Sequence, residues 1–243
     1  MIDDDGSRAD RIRQNMARVR QQMVAAASRS GRQPSEIMLV GVTKYVEPDV
    51  ARPLVEAGLN DLGESRPQEL WNKAAALADS KVSWHLIGHL QRNKVRRTLP
   101  LTSCIHSADS LRLLEEISRE AVAQQVVSKV LLEVNISGEP AKHGLAPGEV
   151  EPLLPKLAAL PGISIAGLMT MASLSGGPAE ARREFAALRE LRNKLVPVCP
   201  PNISLRELSM GMSGDFEIAI EEGATIVRVG SALFEGIQDR SDA

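Results

Sequence analysis

Short apolar runs alternate with charged, amphipathic stretches along most of the chain. A long amphipathic stretch at about residues 8–29 comes first, with apolar positions at three- and four-residue spacing. Eight apolar runs of strand length follow, at 37–43, 59–62, 82–87, 103–106, 129–135, 164–170, 205–208 and 224–229. Helical patterns separate them, near 48–57, 66–79, 91–98, 108–125, 148–159, 178–195 and 214–222. Strands that alternate with helices predict βαβ units and a parallel sheet.

Eight parallel strands are the number that closes a (β/α)8 barrel of the TIM type. The continuous apolar character of residues 37–43 and 129–134 suits strands that are buried on both faces. An open doubly wound sheet is the alternative, but no GxGxxG turn follows the first strand. We therefore predict an α/β fold in which residues 1–243 form a single barrel domain. The extra N-terminal helix covers about 8–29 and the barrel covers about 37–236.

Composition and charge narrow the class of protein. The 29 basic and 31 acidic side chains leave a net charge of −2, without the basic excess of a nucleic-acid-binding protein. Two cysteines are too few for a disulfide scaffold. The first ten residues are polar and acidic, unlike a signal peptide, and no apolar run is long enough to span a membrane. These features predict a soluble, cytoplasmic protein with no nucleic-acid or membrane partner.

Polar and glycine residues follow the predicted strands, where the active site of a TIM-type barrel forms. The first strand is followed by Lys44, the fifth by Asn135, and the last two by glycine- and serine-containing turns. The candidate site residues are Lys44, Asn135, Ser209, Gly211, Arg228, Gly230 and Ser231.

These residue types suit a phosphorylated aldehyde. A partly desolvated Lys44 is a candidate Schiff-base nucleophile, although a solvated lysine that opens a loop is the ordinary alternative. Glycine turns after strands seven and eight commonly bind phosphate in such barrels, although they are also ordinary helix-capping turns, with Ser213 as an N-cap. Pyridoxal phosphate (PLP) combines an aldehyde with a phosphate, and Arg228 is placed to meet its phosphate or its ring nitrogen.

The strand-end motifs also match a known family in the same order along the chain. The matching segments are VTK at 42–44, GESRPQE at 63–69, WHLIGHLQRNK at 84–94, VNISGE at 134–139, KHGL at 142–145, GLMTM at 167–171, LSMGMSGDF at 208–216 and VRVGS at 227–231. With these segments the chain resembles the pyridoxal phosphate homeostasis proteins over about residues 8–236.

The resemblance implies a barrel like the N-terminal domain of alanine racemase, with PLP as its cofactor. It further implies that Lys44 holds PLP as a Schiff base and that Arg228 lies near the ring nitrogen. It assigns Ser209, Gly211, Gly230 and Ser231 to the phosphate. The chain departs from the family pattern at Tyr45, which is usually not aromatic, and at Ser65, where the family usually has asparagine.

Catalysis is a separate question, because a racemase needs one base on each face of its substrate. The alanine racemase likeness supplies the second base from a tyrosine in an additional domain, for which this chain has no room. Its only tyrosine is Tyr45, which strand alternation directs away from the site. We therefore expect a monomer that holds PLP and delivers it to PLP-dependent apoenzymes, without efficient catalysis. The alternatives are a residual PLP-dependent racemase or lyase of unknown substrate, and an interaction protein with a vestigial pocket.

Several remaining polar residues allow two interpretations. Glu64 and Asn135 at strand ends either contact the cofactor ring or brace their loops. His85 and His89 are four residues apart, but the segment is predicted as a strand followed by a turn, so we expect no metal site there. The basic cluster Arg92–Arg97 is expected to be a solvated surface or an anion-binding patch.

Overall fold

The computed structural model describes residues 5–173 and 176–237, and in these ranges eight parallel strands form a closed barrel in the order β1 to β8. The strands are β1 (Met38–Val42), β2 (Asp61–Glu64), β3 (Ser83–Leu86), β4 (Thr102–Ala108), β5 (Ser128–Glu133), β6 (Ile163–Met169), β7 (Glu207–Ser209) and β8 (Ile226–Val229). The helices are α1 (Asp5–Arg29), α2 (Pro48–Glu56), α3 (Pro67–Ala76), α4 (Val95–Thr98), α5 (Leu111–Ala123), α6 (Pro147–Ala158), α7 (Gly177–Leu195) and α8 (Phe216–Glu221). The predicted TIM-type barrel with an additional N-terminal helix is confirmed.

Pairing between the first and last strands closes the barrel. Met38 to Gly41 of β1 lie beside Ile226 to Val229 of β8 in parallel register. Closure leaves the sheet without an edge, so the open doubly wound alternative does not apply. It also brings the residues after β1, β7 and β8 to neighbouring positions on one rim.

Helix α1 packs against the outside of the barrel. Ile12, Met16, Val19 and Met23 are buried along one face, as their helical spacing predicts. The amide of Asn15 donates to the carbonyl oxygens of Leu233 (3.2 Å) and Glu235 (2.9 Å), which fixes the helix to the segment after β8. None of the helices described is both long enough and apolar enough to cross a membrane.

The interior of the barrel contains a small apolar layer and many polar side chains. The apolar layer consists of Val40, Cys104, Leu131, Ala166, Met169 and Ile226. Buried polar residues on the strands include His85, His106, Glu133, Ser209 and Arg228. The larger apolar core lies between the strands and the surrounding helices.

Gly167 of β6 permits close contact with β7. A Cβ atom at this position would lie 2.0 Å from the carbonyl oxygen of Glu207. We expect Gly167→Ala to lower the free energy of unfolding by about 1–3 kcal/mol or more, because the strands must separate. Urea denaturation measures this change, with Gly148→Ala as the control, since an added Cβ there meets no atom within 4 Å. Equal stability of the two variants would contradict the close contact between β6 and β7.

Candidate functional site

Lys44 lies in an exposed turn two residues after the end of β1. Of the two alternatives given above, the exposed side chain agrees with the solvated lysine. Its Nζ atom lies 4.7 Å from the centre of the Tyr45 ring. Tyr45 is 76% exposed, and strand alternation does not set its direction, because β1 ends at Val42.

A buried ion pair fixes the backbone immediately before Lys44. Lys73 of α3 donates from Nζ to Glu64 Oε1 (2.5 Å) and to the carbonyl oxygen of Thr43 (2.6 Å). The Thr43 hydroxyl also donates to Glu64 Oε1 (2.6 Å). The second carboxylate oxygen of Glu64 is buried and has no hydrogen-bond partner among the described residues. Glu64 therefore braces the turn that carries Lys44, the second of the two interpretations given above.

The turns after β7 and β8 meet at the hydroxyl of Ser213. Its oxygen accepts hydrogen bonds from the backbone N–H groups of Gly230 (3.1 Å) and Ala232 (3.3 Å). Ser213 is thus not the N-cap of α8, a position that Asp215 occupies. Ser231, which lies between the two donors, has an exposed side chain.

Glycine is required sterically at position 211, and position 230 is closely packed. Gly211 has φ of +93°, and a Cβ there would lie 2.5 Å from the Cβ of Ala219. A Cβ on Gly230 would lie 3.2 Å from the carbonyl oxygen of Val42. The missing Cβ atoms let each turn pack closely against its own neighbours, Gly211 against α8 and Gly230 against the end of β1.

This cradle fits a phosphate group. Two backbone N–H groups already hold one oxygen atom, the Ser213 hydroxyl, at the junction of the turns. A phosphate oxygen accepts the same kind of hydrogen bond and would replace the Ser213 hydroxyl on these two N–H groups. The displaced serine hydroxyl would then be a further donor to the phosphate. Because β8 pairs with β1, the cradle and Lys44 lie at adjacent strand ends of one rim.

Arg228 is buried in the barrel beside this cradle. Its Nη1 donates to Ser209 Oγ (2.6 Å) and its Nη2 donates to the carbonyl oxygen of Thr170 (2.9 Å). Burial lowers the pKa of Arg228 to about 10, against the opposing effects of Glu133 and Asp215. The guanidinium therefore keeps its charge at neutral pH.

A line of buried hydrogen bonds continues from Arg228 across the barrel. Ser209 Oγ lies 2.8 Å from His106 Nδ1, His106 Nε2 lies 2.9 Å from His85 Nδ1, and His85 Nε2 lies 3.1 Å from Asp61 Oδ1. Burial lowers the pKa of His106 well below its ordinary value, so its ring is neutral.

The direction of each hydrogen bond follows from the two ends of this line. Arg228 only donates and the Asp61 carboxylate only accepts, so the protons order from Arg228 through Ser209, His106 and His85 to Asp61. In this order the neutral His106 ring carries its proton on Nε2 and accepts at Nδ1. Ser209, which is predicted to contact the phosphate, thus accepts a hydrogen bond from Arg228. Its own hydroxyl donates a hydrogen bond to His106.

Asn135 is a loop brace in this structure. Its Nδ2 donates to the carbonyl oxygens of Glu139 (2.9 Å) and Lys142 (3.4 Å). Its Oδ1 accepts from the Gly138 amide (3.0 Å) and the Ser137 hydroxyl (3.2 Å). These bonds hold the loop after β5, so the geometry favours the brace over the ring contact.

Glu133, the last residue of β5, was missed by the sequence analysis. It is 4% exposed, and its pKa is raised to about 7, first by burial and then by the charge of Asp109, with Arg228 and His89 opposing. The signal in the sequence is a carboxylate at the end of an apolar run. The barrel thus contains an acid that titrates near neutral pH beside a permanent cation.

Comparison with known proteins places the chain in a family. The model of the alanine racemase N-terminal domain matches residues 8–237, and the chain belongs to this family. Within the family, the chain belongs to the pyridoxal phosphate homeostasis proteins. The member from Aquifex aeolicus is 42% identical over 221 residues, which cover 91% of this chain and 96% of the relative. The member from Pseudomonas aeruginosa is 39% identical and covers 92% of this chain and 94% of the relative.

Solved structures agree with this assignment. PipY of Synechococcus elongatus with PLP bound has a TM-score of 0.83 and 36% identity, and the match covers 92% of this chain and 99% of PipY. Alanine racemase of Clostridium difficile has a TM-score of 0.73 and 16% identity, and the match covers 95% of this chain and 58% of the racemase. The second comparison shows a shared fold only.

The raised pKa of Glu133 has a testable effect on stability. The protonated acid is favoured in the folded protein, so its stabilisation is complete below its ordinary pKa of 4.5 and is lost as the pH rises to about 7. Glu133→Gln stays neutral, so we expect its stability relative to the wild type to increase by up to about 3 kcal/mol between about pH 4.5 and pH 8. Urea denaturation at several pH values measures this difference. The exposed Glu115→Gln is the control, and a difference for Glu133→Gln that does not change with pH would contradict the shift.

Proposed function

We propose that this protein binds pyridoxal phosphate and acts in its homeostasis, by holding the cofactor and delivering it without efficient catalysis. The amide cradle of Gly230 and Ala232 beside the buried Arg228, at the rim where Lys44 follows β1, is the observation that carries the proposal. It offers an anion site and an amine at adjacent strand ends. The relatives named for PLP homeostasis, and the PLP-bound structure of PipY, support the same function.

Each end of the site has a separate task. When bound, PLP supplies an aldehyde that a lysine amine can attack and a ring that can accept electrons. Lys44 provides the amine. Gly211, Gly230, Ser231 and the Ser213 hydroxyl surround the phosphate, with Ser209 holding Arg228 below them.

Arg228 determines how strongly the ring attracts electrons. Its guanidinium is charged at neutral pH. With PLP bound, it would donate a hydrogen bond to the ring nitrogen and so keep that nitrogen unprotonated. A ring without that proton stabilises a carbanion poorly. The residue therefore suits a protein that stores the cofactor more than one that uses it.

The proposal also covers the domain organisation, the cellular location and the partners of the protein. Residues 1–243 form one PLP-binding domain that acts in the cytoplasm as a monomer. Its partners are PLP and the PLP-dependent apoenzymes that receive it, and it binds neither nucleic acid nor membrane. The net charge of −2 supports the last point, since nucleic acids and anionic lipids attract basic proteins.

The attachment to Lys44 is tested by chemical trapping. We expect purified protein incubated with PLP to show a visible absorption band, and borohydride to fix a pyridoxyl group on the Lys44 peptide. Lys44→Ala removes the trapped group because its amine forms the covalent bond, whereas the exposed Lys81→Ala retains it. Peptide mass mapping identifies the modified residue. A protein that shows no band and traps nothing would contradict PLP binding and favour an interaction protein with a vestigial pocket.

A residual racemase is the second candidate, favoured by the contact between Tyr45 and Lys44. As a carrier, the protein is expected to racemise alanine and other common amino acids negligibly, with no difference between the wild type and Tyr45→Phe. A chiral assay of the PLP-loaded protein measures this turnover. Measurable racemisation that falls by about a hundredfold in Tyr45→Phe would instead assign the phenol as a catalytic base.

A further inference from the structure

Three potential metal ligands converge on the rim from successive loops. His89 follows β3, Asp109 follows β4, and His143 lies in the loop after β5. His89 Nδ1 lies 2.9 Å from Asp109 Oδ2, and His143 Nδ1 lies 3.9 Å from the same oxygen. All three ligand atoms lie within 4.8 Å of one another.

We propose that His89, Asp109 and His143 form a binding site for a divalent transition-metal cation, with zinc as the natural ion. This site goes beyond the proposed PLP function and does not depend on it. Two imidazoles and one carboxylate are an established ligand set for zinc, which leaves a fourth position open.

The spacing of the ligand atoms is close to that of a zinc site. Tetrahedral bonds of about 2.0–2.2 Å place neighbouring ligand atoms about 3.3 Å apart. The two measured distances to Asp109 Oδ2, 2.9 and 3.9 Å, lie on either side of that value. The two rings are stacked with centroids 4.4 Å apart and planes at 16°, so both rings must turn to direct their in-plane Nδ1 lone pairs at one ion.

The charge of Asp109 also favours a cation. Its side chain is only 10% exposed, yet within the described residues its ion-pair partners are just these two histidines. A divalent ion held between these three side chains would offset the carboxylate charge. The other oxygen, Oδ1, accepts from the Ser110 hydroxyl (3.1 Å), which orients the carboxylate as outer-shell groups do in metal sites.

The site is open to solvent on its histidine side. The side chains of His89 and His143 are 43% and 60% exposed, so an ion can enter without a rearrangement of the barrel. The fourth coordination position of the ion then faces the rim, where a water molecule or an anionic oxygen occupies it.

The residues that could bind a metal together with His89 do not include His85, the histidine four positions before it. His85 and His89 do not share a ligand site, because His85 lies inside the barrel in contact with His106 and Asp61. The partners of His89 come instead from later loops, 20 and 54 residues away in the sequence numbering, from Asp109 and His143. Residues so far apart in the sequence have no characteristic spacing, so the sequence alone does not show that these three side chains lie together.

A second cluster, His85, Cys104 and His106, also has ligand atoms within 4.8 Å of one another. It carries no proposal, because both rings are already engaged in the buried hydrogen-bond line. Burial also raises the pKa of the Cys104 thiol to about 12, which disfavours the thiolate that binds metal.

Zinc titration of the full-length protein, freed of metal with a chelator, tests the proposal. Calorimetry with zinc chloride is expected to show one ion per chain, and Asp109→Asn and His143→Ala are each expected to weaken binding by more than about tenfold, since even outer-shell groups contribute that much. Asp49→Asn is the control, because its carboxylate is exposed and remote from the cluster in sequence. Cobalt chloride supplies a visible spectrum that reports the ligand set.

The result is separable from PLP binding, which borohydride trapping on Lys44 measures in the same variants. Zinc binding that is unchanged in both ligand variants, or absent at about millimolar zinc, would overturn the site. If Cys104→Ser loses zinc binding and Asp109→Asn retains it, the proposed site is overturned, and the buried cluster that contains Cys104 binds the ion instead. Circular dichroism of each variant confirms that lost binding does not reflect unfolding.

Discussion

The buried guanidinium of Arg228 is the constraint on which the interior of this barrel depends. A charge removed from water must be hydrogen-bonded, so Arg228 requires the Ser209 hydroxyl and the Thr170 carbonyl oxygen. The Ser209 hydroxyl proton then needs an acceptor, which is His106. In the same way, His106 donates to His85, and His85 donates to Asp61. One buried cation thus accounts for a polar line where other barrels place layers of aliphatic side chains.

Strand β1 connects the two ends of the proposed cofactor site. The carbonyl oxygen of Val42 lies against Gly230 at the phosphate cradle, and the next residue, Thr43, is held by Lys73 and Glu64. Lys44 follows directly. Two consecutive residues therefore set the separation between the amine and the cradle, and the ion pair beneath them keeps that separation fixed.

The strands and the location of Lys44 were predictable because both follow from local patterns. Eight apolar runs correspond to the eight strands, and strand ends mark the rim of a parallel barrel. The contacts between side chains from distant segments were not predictable in this way. Lys73 lies on a helix, and the His85–His106 contact joins different strands, so neither has a local signature. Tyr45 lies beyond the end of β1, where strand alternation does not predict a direction. The hydrogen bonds of Asn135 to its own loop have no signature in the sequence either.

The exposure of Lys44 has a kinetic consequence for a cofactor carrier. An amine in a solvent-facing turn can be reached by water, or by an amine of another protein, while the barrel keeps its conformation. Release then follows the rate of bond exchange at the lysine nitrogen and the concentration of the acceptor, with no preceding opening step. Such a protein would release its cofactor at a rate proportional to the concentration of the acceptor, since the acceptor itself takes part in the step that frees the cofactor.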